Sequence, residues 1–252
     1  LTSWVSEPDG GQSAALNRGI ARADGQLVGW LNSDDLLLPG ALLRVGAYVA
    51  ANPGCSFLTG DGSFVSPDRA AVEFQKQAAP YTLRDLLFYH CDRYLPQPAV
   101  FFARAAFAQV GGLDGQLHYA MDVDLWLRLR AVHTLHYIPA TLAQLRRHAD
   151  AKTWRDNERA MSEAQAVIGR HLGRLGLADR LRVRAGLRAV VARAVCNAGL
   201  ASHFAQDRAG ARRALARASA IWPPSALTPA GRRLALRLAL PLWARKLAFH
   251  NP

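Results

Sequence analysis

The feature that most constrains the fold of this chain is an alternation of helix and strand patterns over residues 11–65. Apolar spacing predicts a helix over residues 11–25, a short strand buried on both faces over residues 26–32, and then a second helix. Residues 55–65 are predicted to form a strand, a turn and a second strand. This alternation favours an α/β fold, in which ligands bind in loops at the carboxyl ends of strands.

Two adjacent carboxylates follow the first predicted strand, in the stretch WLNSDDLLLPG. Asp34 and Asp35 repel each other and would lose hydration on approach to the interior. One interpretation is a solvated turn, because Asn, Ser and Asp are all frequent in turns. The other is a cation site, because carboxylate oxygens suit hard divalent cations that keep open positions for substrate phosphates. The pair alone leaves both interpretations open.

The charge of the 252-residue chain, +12 in total, is concentrated in its C-terminal part. Residues 1–150 hold 12 Lys and Arg against 14 Asp and Glu, whereas residues 151–252 hold 19 against 5. The sequence therefore predicts a carboxylate-bearing α/β region over residues 1–155 and a basic helical region over residues 156–252. Three widely separated cysteines indicate neither a disulfide framework nor a metal knuckle, so we expect a cytoplasmic protein.

A second acidic motif opens the segment MDVDLWLRLRAV, whose apolar residues predict a well-buried helix over residues 121–132. Asp122 and Asp124 stand at its beginning, where carboxylates are favoured by the unpaired backbone N–H groups and by the helix dipole. Helix capping is therefore one interpretation of the two aspartates. A chemical role is the other.

Three blocks resemble, in order, the inverting nucleotide-sugar glycosyltransferases of family two, which have the GT-A fold. They are SEPDGGQSAALNRGIARADGQLVGWLNSDDLLLPGAL, VGGLDGQLHYAMDVDLWLRL and RRHADAKT, and they lie within residues 3–155. The resemblance implies an α/β, GT-A-like (Rossmann-like) mixed sheet with flanking helices, followed by an α-helical C-terminal extension. Complete members begin with two further βα units, so we expect this chain to be truncated at its N-terminus.

The resemblance also assigns roles to the acidic residues. The SDD element is the counterpart of the metal-binding DxD motif, which makes Asp35 the main ligand of Mg²⁺ or Mn²⁺ and Asp34 its partner toward the metal or the donor ribose. Asp122 matches the catalytic base, and Met121 stands where the family has a glutamate. His148 matches a late histidine near the metal or diphosphate, with a merely solvated histidine as the alternative.

Further residues are expected to face the nucleotide-diphosphate sugar. Arginine and lysine side chains of the third block can meet phosphate oxygens, and the start of the first helix fits a nucleotide-facing helix N-terminus. Ser13 serves equally well as a helix cap, and Asn17, which matches an Asn of the family, as a tie between loops. The residues of this set are Gly11, Gln12, Ser13, Asn17, Arg147 and Lys152.

The implied reaction is a single displacement. Asp122 removes a proton from an acceptor hydroxyl, whose oxygen attacks the anomeric carbon opposite the nucleotide, and a divalent metal supports the departing diphosphate. The product has inverted configuration. A carbohydrate or a lipid-linked molecule would be the acceptor, as in the synthesis of cell-surface polysaccharide or glycolipid.

The segment GRRLALRLALPLWARKLAFH, residues 231–250, mixes apolar residues with Arg and Lys at helical spacing. It is predicted either to lie on the anionic inner face of the cytoplasmic membrane or to pack as an ordinary helix. Charges recur too often for a spanning helix, and no motif supports nucleic-acid binding. The competing hypothesis for the whole chain is a non-catalytic, truncated remnant that acts as a helical interaction or membrane-surface module.

Overall fold

The computed structural model describes residues 5–68, 70–148 and 151–239. The strands are β1 (Leu27–Val28), β2 (Leu36–Leu37), β3 (Phe57–Val65), β4 (Val72–Lys76), β5 (Val100–Ala103) and β6 (His136–Arg146). The helices are α1 (Gln12–Arg22), α2 (Ala41–Ala51), α3 (Leu83–Leu87), α4 (Arg104–Gln109), α5 (Met121–Val132), α6 (Lys152–Arg155), α7 (Asn157–His171), α8 (Leu177–Phe204), α9 (Arg208–Ile221) and α10 (Pro229–Ala239).

The strands form one mixed sheet with the order β1-β5-β3-β6-β2, and β4 pairs with the far end of β3. β3 and β6 run parallel, whereas the other pairs are antiparallel. The mixed sheet with flanking helices, followed by helices up to residue 239, confirms the α/β class and the helical C-terminal region predicted from the sequence. No helix within the described ranges combines the length and the apolar character needed to cross a membrane.

The first predicted strand is much shorter than the apolar run over residues 26–32. Only the two residues of β1 pair, and only with β5, at one end of the strand order. The prediction that this strand is buried on both faces is therefore wrong. The apolar pattern has another cause, because Trp30 is 8% exposed and packs in the core outside any strand.

Residues 57–65 form one continuous strand, β3, so the predicted turn between two strands is wrong. The glycines that suggested a turn allow close packing instead. A Cβ on Gly60 would lie 2.5 Å from the Leu142 side chain, and a Cβ on Gly62 would lie 2.6 Å from Pro96. The register between β3 and β6 shifts at these positions, as is common where glycine interrupts a strand.

The helix predictions hold better. α5 covers the predicted residues 121–132, because its apolar spacing matches a buried helix. Gly111 and Gly112, with φ values of 83° and 71°, end the segment that begins with β5 and α4. The prediction that Ser13 caps α1 is wrong: the N-cap residue is Gly11, and the Ser13 hydroxyl bonds to a distant carbonyl.

The two faces of the sheet carry separate buried clusters. On one face Leu58 and Phe101 pack with Val45 of α2, and on the other their strand neighbours Phe57 and Phe102 pack with α5. This division follows from the alternation of side chains along a strand. The site described below lies around the helices of the second face.

The larger cluster, which we call the α5 core, includes side chains from the C-terminal helices. Trp126 of α5 stacks on Trp30, with ring centroids 5.3 Å apart. Ile168 of α7 and Leu187 of α8 belong to the same cluster, at 0% and 3% exposure. Packing is thus continuous across the boundary near residue 155, and the division into two regions there stays a prediction.

Candidate active site

Asp35 is held between its own loop and the end of β6. Its side chain is largely buried, with the residue 8% exposed. Oδ1 accepts a hydrogen bond from the backbone N–H of Arg146 at 3.2 Å, and Oδ2 accepts one from the side-chain amide of Asn32, also at 3.2 Å. These bonds compensate the cost of bringing a carboxylate into a buried position. They also tie residues 32–35, which we call the SDD loop, to β6.

Asp34 and His148 lie side by side and keep solvent access. His148 Nε2 is 2.9 Å from Asp34 Oδ2, and their side chains are 23% and 32% exposed. A carboxylate oxygen and an imidazole nitrogen at this spacing can both serve a divalent cation. In the part of the chain that is described, no group of three or more His, Cys, Asp and Glu side chains is arranged to hold a metal ion.

Asn32 links the SDD loop to two other segments. Its Oδ1 accepts from Gln12 Nε2 of α1 at 3.1 Å, and its Nδ2 donates to Gln97 Oε1 at 3.0 Å. Gln97 in turn donates to the carbonyl of Trp30 at 2.8 Å. Asn32 and Gln97 were not among the site residues predicted from the sequence. Asn32 had a usable signal, namely an amide immediately before the carboxylate pair.

The start of α1 also contacts the start of α5. Ser13 is 3% exposed, and its hydroxyl donates to the carbonyl of Leu117 at 3.0 Å and lies 2.9 Å from Met121 Sδ. Gln12, the residue before Ser13, contacts the SDD loop, and Asp122, the residue after Met121, is the predicted base. Two adjacent residues of α1 therefore bridge the first two sequence blocks. A site shared by the SDD loop and Asp122 requires such a connection between the two segments.

Asp122 lies in the first turn of α5 and lines a small cavity. Burial raises the pKa of its carboxyl to about 6, and the nearby Glu163 carboxylate adds to the rise, while the hydrogen bond from the Val123 N–H at 2.8 Å opposes it. The cavity holds about 40 Å³, which is room for water-sized groups such as a hydroxyl. A carboxylate with this pKa can accept a proton near neutral pH.

Aromatic and basic side chains complete the lining of this cavity. Trp126 contributes a buried ring whose Nε1 has no hydrogen-bond partner among the described residues. Burial raises the pKa of Tyr89, and Asp122 adds to that rise, so the Tyr89 phenol keeps its proton. Arg93 lines the same cavity and pairs with Asp85. Tyr89 and Arg93 were not predicted as site residues, because the sequence pattern after residue 80 is irregular.

Two of the predicted nucleotide-facing residues contact nearby loops. The Asn17 amide donates to the carbonyl of Leu113 at 2.9 Å and accepts from the N–H of the same residue at 2.9 Å. The Gly11 N–H donates to Asp9 Oδ1 at 2.8 Å. Asn17 thus serves as the tie between loops that the sequence analysis gave as its alternative role.

Arg147 and Lys152 follow β6 but contact different parts of the molecule. Arg147 Nη1 lies 2.6 Å from Glu73 Oε2 of β4. Lys152 Nζ lies 5.1 Å from the centroid of the Tyr119 ring, just before α5. Of these two basic residues, Lys152 therefore contacts the segment that leads to Asp122.

Helix capping does not fully explain the hydrogen bonds of Asp122 and Asp124 in the first turn of α5. Asp124 is 3% exposed and bonds to Arg128 of the same helix, with Oδ2 2.8 Å from Nε. Asp122 accepts the N–H of Val123 at 2.8 Å. The N-cap residue, Ala120, has no side-chain acceptor to offer. The interpretation of both aspartates as plain helix caps is thus insufficient.

Comparison with known proteins shows a family similarity in the part of the chain that holds the first of these blocks. Residues 5–110 match the model of the family described as Glycosyl transferase family 2. The resemblance to family-two glycosyltransferases that the sequence indicated is confirmed for these residues, which are similar to that family.

Similar proteins cover different shares of the chain. An uncharacterized glycosyltransferase of Mycobacterium tuberculosis is 33% identical over 132 residues, which are 51% of this chain and 48% of that protein. An O-antigen biosynthesis protein of Myxococcus xanthus is 29% identical over 177 residues, 68% of this chain and 13% of that protein. The chain therefore spans about half the length of the mycobacterial relative.

Among solved structures, a mannosyltransferase from Pyrobaculum calidifontis in complex with GDP-Man and Mn²⁺ aligns with a TM-score of 0.43 and 14% identity. The alignment covers 96% of this chain and 68% of that one. TarS of S. aureus, residues 1–349, aligns with a TM-score of 0.43 and 14% identity, over 81% of this chain and 70% of that one.

Proposed function

We propose that this chain is the part of an inverting glycosyltransferase that moves a sugar from a nucleotide-diphosphate donor to an acceptor hydroxyl. The observation that carries the proposal is the bridge formed by Gln12 and Ser13, which joins the SDD loop to the segment of Asp122. A carbohydrate or lipid-linked acceptor is supported by the O-antigen biosynthesis protein among the relatives.

A divalent cation, Mg²⁺ or Mn²⁺, fits the donor set of Asp34 and His148. The side chains of His148 and Asp34 are 23% and 32% exposed, whereas Asp35 is only 8% exposed. In this proposal Asp34 and His148 bind the ion directly and Asp35 fixes the loop, which shifts the main ligand away from Asp35. The ion, when bound, supplies Lewis-acid support for the leaving diphosphate.

Asp122 is proposed as the base. Its carboxylate takes the proton of an acceptor hydroxyl that enters the small cavity, while the acceptor oxygen forms a bond to the anomeric carbon. The bond from that carbon to the donor phosphate oxygen breaks, and its electron pair leaves with the nucleoside diphosphate. Attack from the face opposite the leaving group inverts the anomeric configuration. The Trp126 Nε1–H and the protonated Tyr89 are suited to orient the incoming hydroxyl.

The direct test offers the protein a panel of nucleotide-diphosphate sugars in the presence of Mn²⁺ or Mg²⁺. Sugar transfer is measured as the release of nucleoside diphosphate. Asp122→Asn should lower the rate by about 10²-fold or more, the usual contribution of a general base, with donor binding unchanged. Asp24→Asn, at an exposed aspartate before β1, is the matched control. Full activity of the Asp122 variant would overturn the role of the base, and a wild-type protein that binds no donor would favour the non-catalytic alternative.

The basic helices support a second, separate proposal, contact with an anionic membrane surface. Residues 177–239 contain twelve arginines and two acidic residues, Asp179 and Asp207. Arg212 and Arg213 of α9 are exposed. Residues 240–252, which complete the predicted amphipathic segment, lie outside the described residues. Replacing both arginines with Gln should weaken sedimentation with anionic liposomes and leave neutral liposomes unaffected, and equal binding to both would contradict the proposal.

A further inference from the structure

One carboxylate of α7 binds the segment that leads into α5. Glu163 Oε1 accepts hydrogen bonds from three successive backbone N–H groups, those of His118, Tyr119 and Ala120, at 2.9, 2.6 and 2.7 Å. Ala120 is the N-cap residue of α5, two positions before Asp122. We propose that Glu163 is a positioning residue for Asp122, fixing the start of α5 and placing a negative charge near the base. This inference rests on the proposed function of Asp122.

The start of α5 needs such an acceptor. The first N–H groups of a helix have no partner within it, and Ala120 makes no side-chain cap hydrogen bond. A carboxylate at a helix N-terminus also interacts favourably with the helix dipole. Of these groups, Glu163 binds the N–H of the N-cap residue Ala120, and it also binds the N–H groups of the two residues before it.

The same carboxylate contributes charge to the base. The neighbour before Asp122 is Met121, which has no charge, so the nearby acidic group comes from α7. Glu163 raises the pKa of the Asp122 carboxyl, in addition to the larger effect of burial. Tyr89, Tyr94 and Arg93 line the cavity beside Asp122. Because the phenols are uncharged near neutral pH and Arg93 is paired with Asp85, Glu163 is the acidic side chain whose removal should affect Asp122.

Two further contacts hold the same segment against α6 and α7. The Tyr119 hydroxyl donates to Asp156 Oδ2 at 2.9 Å, and Lys152 Nζ lies 5.1 Å from the centre of the Tyr119 ring. The segment 118–120 is therefore attached to the basic helical region through both side chain and backbone. Glu163 is the contact that reaches the backbone.

Two variants separate the charge of Glu163 from its hydrogen bonds. Glu163→Gln keeps an oxygen acceptor and removes the charge, whereas Glu163→Ala removes both. Glu158→Gln is the matched control, because Glu158 lies on the same helix and pairs with Arg217 instead. Hydrogen exchange of the amides of residues 118–120 and the carboxyl ¹³C titration of Asp122 are measured on the whole chain.

In Glu163→Ala the amides of residues 118–120 should exchange at least about 10-fold faster, since they lose their acceptor, and Glu163→Gln should retain most of the protection. In Glu163→Gln the Asp122 pKa should fall below its wild-type value, and the acid limb of any transfer activity should move to lower pH with the donor KM unchanged. The Glu158 variant should change neither readout.

Wild-type exchange in Glu163→Ala would overturn the proposal as a whole. An unchanged Asp122 pKa in Glu163→Gln would overturn the role of the charge and leave Glu163 a structural contact. Neither measurement depends on sugar transfer. Failure of the proposed function, seen as full transfer by Asp122→Asn, is therefore distinguishable from failure of this inference.

Discussion

His148 Nε2 lies 2.9 Å from Asp34 Oδ2, although 114 positions separate the two residues in the chain. Antiparallel pairing of β2 with β6 explains the contact, because Leu36 lies opposite Gln144. Residues just before β2 therefore meet residues just after β6. The two side chains that we propose to bind a cation come from two sequence blocks, which the pairing of β2 with β6 brings together.

Replacing either member of this pair should weaken cation-dependent nucleotide binding. We expect Asp34→Asn and His148→Ala each to reduce binding of a nucleoside diphosphate in the presence of Mn²⁺ by at least about 10-fold, since altered metal sites commonly lose this much. Isothermal titration calorimetry measures the effect, with Asp24→Asn as a control. Wild-type affinity in both variants would exclude the pair as metal ligands.

The transfer rate should depend on the ionisation of Asp122. Because its pKa is raised to about 6, the carboxylate form that accepts a proton increases as pH rises through that value. The rate should therefore rise with pH and level off above about 7. A rate that is already constant from pH 4.5 upward would show that Asp122 does not limit catalysis as a base.

Asp122→Asn should stabilise the fold at neutral pH. The folded-state pKa of about 6 lies above the ordinary value of 3.8, so the folded protein binds more protons than the unfolded chain between these values, and stability falls as pH rises across them. At about 1.4 kcal/mol per pKa unit, the variant should gain up to about 3 kcal/mol at pH 7. Urea unfolding at pH 4 should show little gain, and an equal gain at both pH values would contradict this explanation.

Gly60→Ala should destabilise the sheet. A Cβ at this position would lie 2.5 Å from the Leu142 side chain and 2.9 Å from the Ala140 carbonyl. Overpacking of this kind usually costs about 1–3 kcal/mol. Gly115→Ala is the matched control, since nothing lies within 4 Å of its added Cβ. Thermal unfolding of the two variants compares them, and equal melting temperatures would be evidence against the continuous strand β3.

Truncation of Leu187 on α8 should destabilise the α/β region as well as the helices. Leu187 is 3% exposed in the α5 core, and removal of such a side chain costs about 2–5 kcal/mol. Leu181→Ala on the same helix, where the side chain is 56% exposed, should cost far less. Chemical unfolding is followed by tryptophan fluorescence in a background where the other four tryptophans are replaced by Phe, so that the signal reports on Trp30 and Trp126. If this signal does not change, the C-terminal helices do not stabilise the region of the site.

Local pattern predicted the helices well because their apolar spacing repeats over several turns. α5 is the clearest example, since its buried residues recur along twelve positions. The strands were predicted less well than the helices. β1 was overestimated because Trp30 is buried without pairing, β3 was divided because its glycines suggested a turn, and β6 was not predicted, because its side chains are buried in no simple alternation.

The site residues, like the helices, were predicted only where a local sequence pattern marks them. Asp34, Asp35 and Asp122 were selected because each belongs to a compact motif. Gln97 and Glu163 were not, because each acts through a contact with a distant part of the chain, 65 positions from Asn32 and 43 from Ala120. Neither residue has a local feature that distinguishes it from an ordinary glutamine or glutamate.

The α5 core has a consequence for the design of chimeras. Trp126 packs in a cluster that takes Ile168 from α7 and Leu187 from α8. A hybrid protein joined between β6 and α6 would keep Trp126 but receive foreign partners for it. Exchanges of the C-terminal tail among related proteins should therefore use a crossover point beyond Leu187, so that Ile168 and Leu187 stay with Trp126.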